Sequence, residues 1–262
     1  MNHLNSNLFM KKILKTTTIM GLVGFSMSSN AAVTLDRTRL IFDSSLQSVN
    51  ITISNKNTKL PFLAQAWMEN SKEEKITSPF IILPPIQRLE PGQSSQVRIE
   101  ALAQASQLPQ DKESVFYFNL REVPPKSEKP NVMQIALQSK IKVFYRPKNL
   151  MLSATELINN PWQEKLVLVK SNNQVIAKNP TPYYTTLLGV SQSKNGQLIE
   201  DRTFKATMIA PFSEEVLSVN ANWLGASPVL TYINDYGGRP KLQYSCGPTE
   251  CHVSKSSASL RE

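Results

Sequence analysis

Two histidines, His3 and His252, and two cysteines, Cys246 and Cys251, are all the imidazole and thiol in a chain of 262 residues. The histidines stand near opposite ends, so they offer no pair with the spacing of metal ligands. Neither completes a Ser-His-Asp or Cys-His arrangement in which a nucleophile would meet its base. No glycine-rich loop follows a strand signal to cradle a phosphate. The acids are scattered, with nothing to single out the paired carboxylates of a glycoside hydrolase. Phe116-Tyr117-Phe118 beside Arg121 has the residue types of a base-stacking platform, but its alternation fits a strand crossing a core more simply. The expectation is a protein that is not an enzyme, with no catalytic residues, metal, cofactor, small-molecule substrate or nucleic-acid partner.

The chain's start bears on where it works. Residues 1–31 contain Lys11, Lys12 and Lys15 but no acid, followed by an apolar run around Ile19 to Met27, the order of a secretory signal. Ser29-Asn30-Ala31 puts small residues at the two positions a signal peptidase reads. Cleavage after Ala31 is therefore expected, leaving 231 residues that begin Ala32-Val33-Thr34-Leu35. The start is Met1 or Met10, which directly precedes the charged region. The apolar run is too short to cross ~30 Å of hydrocarbon as a helix, and no later stretch qualifies, so the mature chain reads as soluble and exported. Net charge falls from +9 to +6 when the three leader lysines leave, a basic excess spread along the chain rather than gathered into a tail for nucleic acid. In an oxidising compartment Cys246 and Cys251 read as a disulfide. So small a loop constrains the unfolded chain by only about 2 kcal/mol, enough to pin a terminal hairpin but not to hold up the fold.

Alternation of period two runs nearly throughout, as in Val49, Ile51 and Ile53 and again in Phe116, Phe118 and Leu120. Turn chemistry separates the runs at Pro84-Pro85, Pro91-Gly92, Pro124-Pro125, Asn195-Gly196 and Gly237-Gly238, and no stretch has a convincing 3.6-residue period. The mature length exceeds the usual single-domain size of ~100 to 150 residues, so the expected fold is all-β with two domains. Their boundary is expected near Arg146-Pro147-Lys148-Asn149, giving a leader over 1–31 and domains over 32–148 and 149–262, with new strand signals from Leu166-Val167-Leu168-Val169. One segment stands out. From Val132 to Tyr145, Met133, Ile135, Leu137, Ile141, Val143 and Tyr145 share one face, and Gln134, Ala136, Gln138, Lys140, Lys142 and Phe144 the other. A strand of about fourteen residues, against a usual ~5 to 6, overhangs its own sheet. Met133, Ile135 and Leu137 then either line an exposed apolar edge that recruits another strand or are ordinary core.

The stretch Leu108-Pro109-Gln110-Asp111-Lys112-Glu113-Ser114-Val115-Phe116-Tyr117-Phe118-Asn119-Leu120-Arg121-Glu122-Val123-Pro124 resembles the signature of the periplasmic chaperones of the chaperone-usher pilus pathway. Ala32 to Arg39, Leu60-Pro61-Phe62-Leu63-Ala64-Gln65-Ala66-Trp67, Gln87-Arg88-Leu89-Glu90-Pro91-Gly92, Ile135 to Pro147 and Tyr232-Ile233-Asn234-Asp235-Tyr236-Gly237-Gly238-Arg239-Pro240 are similar to that family too. Similarity covers nearly the whole mature chain and is looser over 150–230. It implies two immunoglobulin-like β-sandwich domains at an angle with a cleft between them, and a place in the periplasm. It also implies donor-strand complementation, in which a pilin subunit lacking its last strand borrows one from the chaperone.

Carried onto this sequence, the lending residues are Met133, Ile135 and Leu137. Arg39 and Lys142 are implied to anchor the pilin's C-terminal carboxylate, and Glu113, Arg146 and Asp235 to form a charge network joining the domains. The implied partners are pilin subunits and an outer-membrane usher reached mainly through the first domain. A second copy that caps the free edge, making a homodimer, is a partner the sequence leaves open. The loop Pro124 to Asn131 is short and no cysteine flanks it, which resembles the short-loop chaperones that serve rod-shaped pili. A secreted adhesin would account for export and strands, but not for the signature or the paired cations.

Overall fold

The computed structural model describes residues 31–127, 131–194 and 197–256. The leader before Ala31, the Asn195-Gly196 turn and part of the Pro124–Asn131 loop lie outside the described residues. Ten strands build the first sandwich: β1 Val33–Leu35, β2 Arg39–Asp43, β3 Ser48–Asn55, β4 Phe62–Glu69, β5 Lys75–Ile76, β6 Phe80–Leu83, β7 Ile86–Leu89, β8 Ser94–Ala101, β9 Ser114–Val123 and β10 Gln138–Arg146. One sheet has the order β1-β3-β8-β6 and the other β2-β10-β9-β4-β5, with β7 also on β4. Alternation decides the layering. Ile51 and Ile53 of β3, Val97 and Ile99 of β8, and Phe116, Phe118 and Leu120 of β9 are buried in one core between the sheets. Phe42, Phe80, Phe116 and Tyr145 pack at its centre, with ring centroids 4.9 to 6.2 Å apart. The chain's first run is split between the sheets: β1 pairs antiparallel with β3, then β2 pairs parallel with β10 and sets Arg39 beside Lys142.

Nine further strands form the second sandwich: β11 Val167–Ser171, β12 Gln174–Asn179, β13 Thr185–Lys194, β14 Gln197–Glu200, β15 Thr207–Ile209, β16 Ser213–Asn220, β17 Val229–Ile233, β18 Lys241–Cys246 and β19 Glu250–Ser256. They are hydrogen-bonded in one order, β14-β13-β17-β18-β19-β11-β12-β16, with β15 on β13. β15 also packs beside β16 at the far end of that order, so the ladder curls round a second core that includes Leu168, Leu187, Leu230, Leu242 and Tyr244. Cys246 and Cys251 are joined across the β18–β19 hairpin, where they are paired residues of the ladder.

Two features depart from the sequence reading. β10 begins at Gln138, not Val132. Its antiparallel neighbour β9 ends at Val123 before Pro124-Pro125, which have no amide hydrogens to give, and its parallel neighbour β2 reaches back only to Arg39, opposite Lys142. Among the described residues a single backbone bond, from the Glu122 N–H to the Leu137 carbonyl at 3.0 Å, carries the ladder one step further. A helix also forms at Ala154–Asn159, where the sequence shows no helical period. Six residues are too few to display one, yet the local signal exists. Ser153 accepts the Glu156 N–H and the Glu156 carboxylate accepts the Ser153 N–H, a capping box written Ser-x-x-Glu in the sequence.

Candidate functional site

β10 positions most of the chemistry because its two faces differ. Ile141, Val143 and Tyr145 enter the first core, while the alternate residues look away from it, Lys142, Phe144 and Arg146 among them towards the second sandwich. Phe144 meets Tyr184 there, with centroids 5.6 Å apart, and the Lys142 Nζ lies 3.4 Å from Thr186 Oγ1. Arg39 is adjacent on β2, its guanidinium 5.8 Å above the Phe144 ring and its Nη1 donating to the Ile233 carbonyl at 3.4 Å. Its Nε is buried with no partner. Among the described residues neither cation has an ion-pair partner. Burial, and then the like charge of Arg39, pull the Lys142 ammonium down to about 8. Burial lowers Arg39 as well, against the opposing pull of Asp235 and Glu113. Two neighbouring cations with spare donors in partly dry surroundings have the chemistry to receive an anion, each charge-assisted bond being worth about 1.5 to 3 kcal/mol.

Behind them lies a buried ionic cluster. Arg146, 1 % exposed, donates from Nε to Glu113 Oε1 at 2.7 Å and holds Asp235 in a fork of 2.7 and 3.1 Å. Glu113 also accepts the Tyr184 N–H at 2.7 Å, and its own N–H reaches the Pro182 carbonyl at 2.9 Å. The guanidinium lies 5.2 Å from the Trp162 ring centre and 5.1 Å from that of Tyr183. Glu113 and Arg146 come from the first sandwich and the others from the second, so the cluster ties the two together. Burial raises the Glu113 carboxyl to about 7 against the pull of Arg146 and the Tyr184 amide. Arg146 is held charged, because Glu113 and Asp235 outweigh its burial. Close by, Gly237 has φ +80°, and a Cβ there would sit 2.6 Å from Thr38 Oγ1, so only glycine allows the β17–β18 turn to approach the β1–β2 crossing this closely.

On the far side, the chain before β10 leaves the sheet. Met133 is 87 % exposed and Ile135 67 %, while Leu137 is partly buried. Gln134 Nε2 donates to the Pro125 carbonyl at 2.6 Å. Just inside the sheet, Lys140 bridges Glu69 and Glu73 at 2.8 Å each, fixing the start of β10 to the β4–β5 turn. The structure therefore brings Arg39 next to Lys142, brings Glu113, Arg146 and Asp235 into one cluster, and leaves Met133 and Ile135 in water. Neither spacing nor resemblance points to Trp162, Tyr183, Tyr184, Thr186 or Lys140. The first four reach the site only through packing of the second sandwich, which no spacing announces. Lys140 could have been noticed beside Lys142 on the polar face of the same alternating run.

This two-sandwich architecture, with a cationic cleft and an unpaired apolar segment, is that of the pilus-assembly chaperones. Residues 32–151 match the Pili and flagellar-assembly chaperone, PapD N-terminal domain, and residues 161–244 match the Pili assembly chaperone PapD, C-terminal domain, so the chain belongs to this chaperone-usher family. It is 51% identical over 229 residues to the chaperone protein PapD of Escherichia coli, covering 87% of this chain and 92% of that one. To the probable fimbrial chaperone YfcS of Escherichia coli (strain K12) it is 44% identical over 228 residues, covering 87% and 88%. The crystal structure of the Pseudomonas aeruginosa CupB2 chaperone superposes with a TM-score of 0.66 at 30% identity, over 82% of this chain and 100% of that one. The family is one of chaperones rather than enzymes, and its members work in the periplasm.

Proposed function

We propose that this chain is exported by a leader cut after Ala31 and acts in the periplasm as a chaperone for pilin subunits, with domains over 32–148 and 149–262. It lends a subunit the segment carrying Met133, Ile135 and Leu137 as a missing strand, then delivers it to an outer-membrane usher. The observation that carries this reading is the continuation of β10: alternating apolar side chains in water, on backbone with one ladder bond among the described residues. Each such side chain buried in a pilin groove contributes about 1.5 to 3 kcal/mol before ordering costs, and the added ladder satisfies unpaired N–H and C=O groups on both chains.

Arg39 and Lys142 grip the subunit's terminal carboxylate at the base of the lent strand and so set its register. A slip of one residue would turn the apolar set away from the groove. The Glu113–Arg146–Asp235 cluster binds no ligand in this reading and holds the cleft's walls in place. Release needs no covalent step, since the next subunit's strand replaces one ladder by another.

The test is co-expression of the mature chain with the pilins of its own bacterium in a periplasm, followed by purification of soluble complexes. A one-to-one complex with wild type, lost in Arg39→Ala and Lys142→Ala variants that remain folded, is the expected result. Normal binding by both variants sinks the anchor. A folded wild type that captures no pilin sinks the chaperone reading and favours a secreted adhesin.

A further inference from the structure

Glu122 is a buried carboxylate, 5 % exposed, that subunit binding leaves without a task. It stands on β9 opposite Ala64 and reaches across the sandwich to β1, where its Oε2 accepts the Val33 N–H at 2.8 Å in a buried bond. Among the described residues no ion pair reaches it. A carboxylate removed from water and met by a neutral amide is poorly compensated. The residue before Val33 is fixed in place. The Ala32 carbonyl accepts the Lys56 N–H at 2.6 Å, and its methyl group packs on the first core. The Ala32 nitrogen lies one residue, about 3.5 Å of chain, from the amide that Glu122 already holds.

We propose that Glu122 is the receptor for the mature N-terminus. Hydrolysis of the Ala31–Ala32 peptide bond gives the hydroxyl of water to the Ala31 carbonyl carbon and its proton to the Ala32 nitrogen; the new Ala31 carboxylic acid then ionises and the amine takes up that second proton, so that a neutral amide becomes an ammonium that pairs with Glu122. Processing thereby completes the first sandwich, pinning β1 to β9 across the core and steadying the crossing that leads to Arg39. The proposal rests on the reading that the leader is cut after Ala31.

Intact mass of the exported protein first fixes its start. A start other than Ala32 removes the leader reading, and this proposal falls with it. With Ala32 as the start, the mature chain is compared with one extended by a single N-terminal glycine, each with and without Glu122→Gln. The extension is expected to lower Tm by about 4 °C in the Glu122 chain and not measurably in the Glu122→Gln chain. Titration of the ¹⁵N-labelled Ala32 amino group should place its pKa above the ordinary ~7.7 to 8.0 of an α-amine. Equal loss from the extension in both backgrounds, or an ordinary titration, overturns the proposal and leaves the leader reading standing. If Glu122→Gln does not fold, the extension and the titration in the wild-type chain decide the matter together.

Discussion

A lysine ammonium lodged beside an arginine and partly out of water weakens a fold and suits an anion. Burial and Arg39 bring Lys142 down to about 8, so the free chain at neutral pH carries a charge whose cost a bound carboxylate would offset. Lys142→Met should therefore raise the Tm of the free chain, by about 2 to 4 °C per kcal/mol relieved, while abolishing the soluble pilin complex. Thermal melting beside co-purification checks both halves, and a lowered Tm would count against the uncompensated charge. The pH dependence has a definite sign. In the proposed role a subunit carboxylate favours protonated Lys142, so affinity should be full below about 8 and fall as pH rises above it. Affinities measured between about pH 6.5 and 9.5 would show this, and a flat profile would leave the anchor to Arg39 alone. In the free chain this same group makes stability rise between about 8 and 10.5, because the unfolded state keeps a proton there that the folded state gives up.

At the scale of elements, the segment proposed to be lent and the terminal hairpin separate function from stability. Ile135 is mostly in water, so Ile135→Ala should leave the free chain's melting unchanged while weakening the pilin complex by about 1.5 to 3 kcal/mol, roughly 10- to 150-fold in Kd. Competition binding with a purified pilin would measure it. An unchanged Kd would mean that this side chain does not enter the groove. The disulfide gives the opposite pattern. Replacing Cys246 and Cys251 together by serine should cost about 2 kcal/mol with subunit binding kept, since the bond closes a hairpin of the second sandwich and lies outside the cleft residues. Denaturant unfolding reads the loss, and a much larger one would mean that the hairpin organises the whole second core.

At the scale of the molecule, Arg146 is the joint. Its removal would strand Glu113 and Asp235 without their shared cation and strip a guanidinium from beside the stacked rings of Trp162 and Tyr183. Arg146→Ala should cost about 3 to 5 kcal/mol, with calorimetry resolving the two sandwiches as separate transitions where the wild type melts as one. A single unaltered transition would show that other contacts couple the sandwiches.

Much of this was written locally. Ile51 and Ile53, or Phe116, Phe118 and Leu120, announce strands because neighbours two apart along a strand share a face, and that period survives in the sequence whatever the strand pairs with. The lysine-then-apolar order expected of a leader, the signature from Leu108 to Pro124 and the odd alternation of Met133, Ile135 and Leu137 are continuous stretches, so they too can be read before any folding. The length of β10 could not be, because it depends on where β9 and β2 stop beside it. Arg39 and Lys142 became neighbours through parallel pairing of strands far apart in the chain, and Arg146 acquired its aromatic walls from the other sandwich. Glu122 looked like one more acid in a strand until the core face of β9 turned it towards Val33. Such long-range pairings decide which charges are buried and which stand together, and a local period cannot record them.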